Sequence, residues 1–211
     1  GWRVLGVDIS ETALSRAAAE AEARGLTDRV QLVQTNLSET FPEGTFDLVS
    51  AQFLQSLVHL DRERIFASAA RAVAPGGVLI IVDHGAAPPW AKHIHDHVFP
   101  TVEEVFATID LGEGQWERVH VDTVEREAVG PDGQTGVLVD NLIVLRVPHA
   151  FLILNLYPYN NGHCMVVPAR HAVEPSDLTP EESAAVWGLV ARTADLLRKP
   201  LGAEGVNVGV N

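Results

Sequence analysis

Short apolar strands alternate with amphipathic helices over the first 83 residues, and that alternation restricts them to a parallel sheet flanked by helices. Residues 3–8 read as a strand, 11–24 as an alanine-rich helix and 30–34 as a second strand. Residues 46–51, 61–73 and 78–83 continue as strand, helix and strand. Ser10 stands where a helix N-cap belongs, and Gly25 where the same helix must end. After residue 84 the grammar changes. Pro88-Pro89-Trp90 interrupts it, residues 101–109 fit one short helix, and 116–127 and 136–146 read as strands. The turn cluster Gly130-Pro131-Asp132-Gly133 between those strands predicts an antiparallel hairpin.

A third style begins near Pro148. Strands at 150–156 and 164–168 flank the turn-rich Pro158-Tyr159-Asn160-Asn161-Gly162, followed by a helix over 180–198 and a last strand at 206–210. The reading is of two units, an α/β unit over residues 1–147 and an α+β unit over 148–211.

Composition narrows the function classes. The formal net charge is −13, with Lys92 and Lys199 the only lysines, so no basic stripe exists to neutralise a phosphate backbone and nucleic acid is excluded as a partner. Small nucleotides stay open as ligands, because backbone amides and helix N-termini hold them without a basic surface. Cys164 is the one cysteine, which rules out an intrachain disulfide or a cysteine zinc site and suits a reducing cytoplasm. The longest apolar runs, 78–82 and 150–154, have strand length and no membrane partner is expected. Gly1 leads directly into Arg3-Val4-Leu5-Gly6-Val7-Asp8 without a signal-peptide pattern, as the middle of a domain would.

Asp8 ends a parallel strand, the place where open α/β sheets bind ligands, and a carboxylate there can accept both hydroxyls of a ribose. The plainer role is a cap or solvated turn residue, and on Asp8 alone the two weigh evenly. Context adds Val30-Gln31-Leu32-Val33-Gln34-Thr35-Asn36-Leu37, then Phe46-Asp47-Leu48-Val49-Ser50-Ala51, then Ala74-Pro75-Gly76-Gly77-Val78-Leu79-Ile80-Ile81. This ordered series resembles the class I S-adenosylmethionine-dependent methyltransferases, through the Pro88-Pro89-Trp90 loop to the final hairpin. The resemblance implies a Rossmann-like sheet with a C-terminal antiparallel hairpin and S-adenosylmethionine as cofactor. It implies that Asp8 binds the cofactor ribose, Ile9 packs on the adenine, and Asn36, with Leu37 in the same contact set, meets the adenine amino group. Ala51, Gln52 and Phe53 would line the methionine side. Asn36 replaces the more usual Asp, but its amide oxygen still accepts from that amino group.

One departure matters. The glycine-rich turn of such folds lies about 20 residues before the ribose-binding acid, and Asp8 has seven residues before it. The expectation is an incomplete sheet lacking the strand between those that end at Asp8 and Ala51, with two open edges available for self-association.

His93-Ile94-His95-Asp96-His97, with His84 nearby, offers imidazoles to a metal. Residues two apart on a helix point away from each other. The reading adopted is a polar acceptor-side loop with at most one general base, and no metal site.

From Pro148 onward, Leu154-Asn155-Leu156-Tyr157-Pro158-Tyr159-Asn160-Asn161-Gly162-His163-Cys164-Met165-Val166-Val167-Pro168-Ala169-Arg170-His171 resembles the histidine-triad (HIT) superfamily, in its dinucleoside-polyphosphate hydrolase and phosphorylase branch. Asp177-Leu178-Thr179-Pro180-Glu181-Glu182 and Gly205-Val206-Asn207-Val208-Gly209-Val210-Asn211 continue the match. The resemblance implies that Asn155 contacts a nucleotide ribose, His163 supports the catalytic histidines and Asn211 approaches the phosphates. Without it, Asn155 reads as a strand-end turn former, His163 as a core histidine and Asn211 as an ordinary terminus. The His-x-His-x-His strand bearing the family's nucleophile is not among these 211 residues, so the HIT-like piece is incomplete too.

Three functions follow. The first is methyl transfer from S-adenosylmethionine to a small-molecule acceptor, with the truncated chain inactive and no obligatory catalytic residue, since such displacement depends on positioning. The second is nucleotide hydrolysis or phosphorolysis by the C-terminal piece. The third is a chimaeric reading frame without activity of its own.

Overall fold

The computed structural model describes every residue except 56–59, 92–96, 113–115, 155–161, 203 and 211, together with the side chains of 200 and 201. Its strands are β1 (Val4–Asp8), β2 (Val30–Gln34), β3 (Phe46–Gln52), β4 (Val73–His84), β5 (Glu117–Val129), β6 (Thr135–Arg146), β7 (Ala150–Leu154) and β8 (Cys164–Pro168). Its α-helices are α1 (Glu11–Ala23), α2 (Arg62–Arg71), α3 (Val102–Ala107) and α4 (Pro180–Leu201). Helix starts follow their capping chemistry. Ser10 accepts from the Ala13 amide, Asp61 from the Arg64 amide, and Thr101 and Thr179 form capping boxes with Glu104 and Glu182. α1 stops where Gly25 takes a left-handed φ of 66° and its amide bonds to the Glu22 carbonyl.

The strands form three sheets. β1 and β2 make a parallel pair, β3-β4-β6-β5 make a mixed four-stranded sheet, and β7 and β8 pair antiparallel. Strands β1 and β3, ending at Asp8 and at Gln52, therefore lie in different sheets, and among the described residues each has one hydrogen-bonded strand partner. In the larger sheet β4 is parallel to β3 and antiparallel to β6, and β5–β6 is the hairpin turned by Gly130–Gly133. Alternation along β4 and β6 assigns the two faces. Leu79 and Ile81 face the core with Ile143 and Leu145, all at most 1% exposed, and Phe66 of α2 and Val105 of α3 close it.

Two expected elements differ. Residues 206–210 carry no regular structure, and Val208 and Val210 are exposed. A strand needs a ladder partner, and among the described residues β7 and β8 pair only with each other. The helix expected over 61–73 ends at Arg71, and β4 begins at Val73. The Ala72 carbonyl is claimed by the Phe46 amide, and the β3–β4 register shifts between Phe46 and Leu48 to absorb Pro75-Gly76-Gly77.

That turn also holds the next segment. The Gly76 amide donates to the Val147 carbonyl at 2.9 Å, and the Val147 amide to the Gly77 carbonyl at 3.0 Å. His149, whose carbonyl accepts from the Ala169 amide at 2.7 Å, lies against Gly76, where a Cβ would fall inside its imidazole. Gly76 and Gly133 share a φ of 78°, but a Cβ on Gly133 would meet nothing within 4 Å. Gly133→Ala should then cost about 1–2 kcal/mol for left-handed backbone alone, and Gly76→Ala clearly more. Equal losses in urea unfolding would show that the His149 contact carries no energy.

Candidate functional site

Asp8 and Ile9 emerge at the carboxyl end of β1 beside the carboxyl end of β2. The Thr35 amide donates to the Asp8 carbonyl at 2.9 Å, and Gln34 Nε2 to the Ile9 carbonyl at 2.9 Å. One carboxylate oxygen of Asp8 accepts from the Ser10 amide at 2.7 Å, so Asp8 does brace the turn, while its other oxygen has no protein partner among the described residues. Ile9 is 64% exposed, an apolar surface with nothing on it. Asn36 is committed locally: its Oδ1 accepts from the Ser38 amide at 3.1 Å and its Nδ2 donates to Glu39 at 2.9 Å. Leu37 is half-buried beside it.

Ala51, Gln52 and Phe53 sit at the carboxyl end of β3 in the larger sheet. Ala51 is buried in the core, and Gln52 is exposed with its amide on Ser50 Oγ. Phe53 is the one described non-glycine residue at positive φ, 52°, held by its amide's 2.7 Å bond to the Val82 carbonyl. The structure thus brings Asp8, Ile9, Asn36 and Leu37 together on one sheet and Ala51–Phe53 on another. The free oxygen of Asp8 and the bare Ile9 fit the adenosine of S-adenosylmethionine; Asn36 would have to share its Oδ1 with the Ser38 amide.

The sequence reading missed a polar cluster at the carboxyl end of β4. Asp83 is 1% exposed and paired with Arg62 of α2; burial pushes its carboxyl above the usual carboxylate range, against the pull of Arg62. Its register partner is Asn141, also buried, whose Nδ2 donates to the Pro100 carbonyl at 2.9 Å. On the opposite face, His84 Nδ1 lies 3.3 Å from the buried Asp140, whose other oxygen accepts from Arg126 Nε at 2.6 Å. The signal that could have found them is an acid beside each apolar run, Asp83 after residues 78–82 and Asp140 before residues 142–145, in two strands whose pairing the sequence alone does not assign.

In the C-terminal segment, His163 is half-buried, just before β8. Asn155 and Asn211 lie outside the described residues, as do His93, His95 and Asp96 of the histidine run. His97 packs its ring edge-on against Phe99. No group of three metal-ligating side chains occurs among the described residues. Glu182, buried at the start of α4, takes a bidentate pair from Arg170 at 2.8 and 2.7 Å and the Thr179 amide at 2.8 Å. The Arg170 hydrogen bonds, then the Thr179 amide, hold its carboxyl down to about 2.

Comparison with known proteins matches residues 1–81 to the methyltransferase domain family and residues 138–211 to the HIT domain family. The chain joins a methyltransferase-like segment to a HIT-like segment. A phosphatidylethanolamine N-methyltransferase of Cereibacter sphaeroides is 40% identical over 84 residues, 39% of this chain and 41% of that protein. An AP-4-A phosphorylase of Mycobacterium tuberculosis is 40% identical over 72 residues, 34% of this chain and 37% of that protein. The chain thus spans about two fifths of the curated relatives it matches. A solved structure concerned with conversion of a disulfide bond into a thioacetal group during echinomycin biosynthesis aligns at a TM-score of 0.51 and 26% identity, covering 70% of this chain and 67% of that one. Among the described residues, no helix is long and apolar enough to cross a membrane.

Because the Glu182 carboxyl is lower in the folded than in the unfolded state, its stabilisation is complete above about pH 4.5 and is lost as pH falls toward 2. The stability difference between the parent and Glu182→Gln should shrink over that window in thermal melts; a gap that widened on acidification would contradict the pairing.

Proposed function

We propose that residues 1–147 form a methyltransferase unit that uses S-adenosylmethionine to methylate a small-molecule acceptor, and that residues 148–211 form a separate HIT-like unit. S-adenosylmethionine, when bound, supplies the methyl group on a sulfonium. The observation that carries the reading is the convergence of Asp8, with its free carboxylate oxygen, and the bare Ile9 at the joined carboxyl ends of β1 and β2. Asp8 would accept the ribose hydroxyls, Ile9 and Leu37 would pack on adenine, Asn36 would accept its amino group, and Ala51, Gln52 and Phe53 would border the methionine end.

This cradle is weak in the 211-residue chain, since β1 and β3 are not neighbours in one sheet. Binding of S-adenosylmethionine should be no tighter than about millimolar, roughly −4 kcal/mol. Calorimetry giving a micromolar constant would overturn that, and residual binding that survived Asp8→Ala would overturn the ribose assignment. The open edges of β1 and β3 should also promote self-association; a strictly monomeric chain at high concentration in sedimentation velocity would contradict it.

A second reading, nucleotide hydrolysis or phosphorolysis by the HIT-like unit, is favoured by the match of residues 138–211 to the HIT domain family together with the 40% identity over 72 residues to the AP-4-A phosphorylase. His163 would then serve nucleotide chemistry, with Asn155 at the ribose and Asn211 at the phosphates. A diadenosine tetraphosphate hydrolysis assay separates the two, and the methyltransferase reading expects no turnover in it.

A further inference from the structure

Of the clusters that the proposed cofactor contacts leave unused, the one at the carboxyl end of β4 has the geometry of a base. β4 and β6 run antiparallel with His84 directly opposite Asp140, so the pairing of ring and carboxylate is set by strand register. Asp140 is 2% exposed and cannot swing away, because Arg126 holds its second oxygen at 2.6 Å. His84 is clamped along its backbone by one side chain: its amide donates to Gln55 Oε1 at 2.9 Å, and its carbonyl accepts from Gln55 Nε2 at 3.2 Å. Its ring packs at 4.5 Å on Phe53, the residue held at positive φ.

Strained backbone, a fixed carboxylate and a clamped imidazole meet where open α/β sheets place their ligands. The His84 side chain is 36% exposed, so the ring reaches solvent while the carboxylate behind it does not. With Nδ1 turned to Asp140, Nε2 lies on the far side of the ring, and it has no partner among the described residues.

We propose that His84 is the proton acceptor for a methyl acceptor bearing a weakly acidic hydroxyl or thiol, with Asp140 as its positioning residue and Arg126 and Gln55 as the frame. The assignment rests on the methyl-transfer reading. In the step, the acceptor's oxygen or sulfur forms a bond to the methyl carbon, and the carbon–sulfonium bond breaks with its electrons remaining on that sulfur. The acceptor's proton passes to His84 Nε2, and the resulting imidazolium is stabilised by Asp140 through Nδ1–H. An imidazole matches this duty because its neutral ring carries one N–H and one bare nitrogen, and the bare nitrogen can take up a proton from the acceptor. The carboxylate fixes which nitrogen is bare.

The test uses the 211-residue chain without S-adenosylmethionine, so that failure of the cofactor reading in calorimetry stays distinct from failure of this one. Long-range proton–nitrogen spectra of 15N-labelled protein at pH 8 should show His84 with Nδ1 protonated and Nε2 bare, and Asp140→Asn should lose that tautomer preference. 4-Chlorophenol, the probe for a weakly acidic hydroxyl because it is largely un-ionised at pH 8, should shift the His84 Nε2 resonance toward its protonated position and raise the phenolate absorbance. His84→Gln, with the parent melting temperature retained, should abolish the absorbance change. A proton on Nε2 at pH 8, or an unchanged chlorophenol response in His84→Gln, would overturn the proposal. So would a tautomer indifferent to Asp140→Asn, because the carboxylate would then position nothing.

Discussion

The hydrogen-bonding of β4 on both edges is the constraint on which the rest of this molecule depends. Parallel pairing to β3 and antiparallel pairing to β6 fix its register twice over, and every second side chain is committed to one face. On the core face, burial of Leu79, Ile81, Ile143 and Leu145 contributes about 1.5–3 kcal/mol each as an upper estimate. The alternation runs on past the apolar residues into Asp83 and Asn141, so the sheet carries polar groups into its own interior. Arg62 offsets part of the desolvation of Asp83, and its guanidinium also lies over the Phe66 ring. The opposite face is half-exposed and carries His84 and Asp140 at its rim. One strand therefore divides core from chemistry by parity alone.

The same strand accounts for how the HIT-like segment is attached. β6 ends at Arg146, and the next residue exchanges backbone bonds with the start of β4 at Gly76 and Gly77. The HIT family match begins at residue 138, inside β6, a strand fully paired in the methyltransferase-like sheet. A boundary at 138 falls within β6, and one at 147/148, expected from the change of pattern, falls just past its end, where Val147 is still tied to Gly76 and Gly77 by two backbone bonds. Val147 packs on the core and Ala150 is buried, so the crossing has no polar, linker-like stretch.

Most elements were legible because their signals are local. β2 and β8 begin and end where alternation and flanking turn residues place them, and α1 and α4 start at residues whose side chains cap them. The strand expected at 206–210 does not form because those residues have strand composition but no ladder partner among the described residues, and pairing is not a local property. The His84–Asp140 contact was illegible for the same reason, since it joins residues 56 apart through a register that only the folded hairpin defines. Asp8 was weighed evenly between ribose acceptor and turn brace. Each of its oxygens is a separate acceptor, and the turn uses one of them.

Stability is unevenly spread over this fold, and the uneven part coincides with the proposed cofactor contacts. A two-stranded sheet is marginal by itself, and β1–β2 is covered by α1, a helix with Ala21 as its one buried residue. Val4 and Val33 remain exposed on those strands, whereas the core of the larger sheet is sealed. Local opening of β1, α1 and β2 should then require less free energy than opening of β4 and β6. A ligand held by Asp8, Ile9 and Asn36 binds only the ordered form of that weak element, so its observed affinity is its intrinsic affinity reduced by the fraction of chains in which the element is formed. Linkage makes the relation reciprocal: a ligand that binds there stabilises β1–β2 more than any other part of the chain. The affinity of the proposed adenosine side is thus set as much by the thin packing beneath α1 as by the carboxylate proposed to meet the ribose.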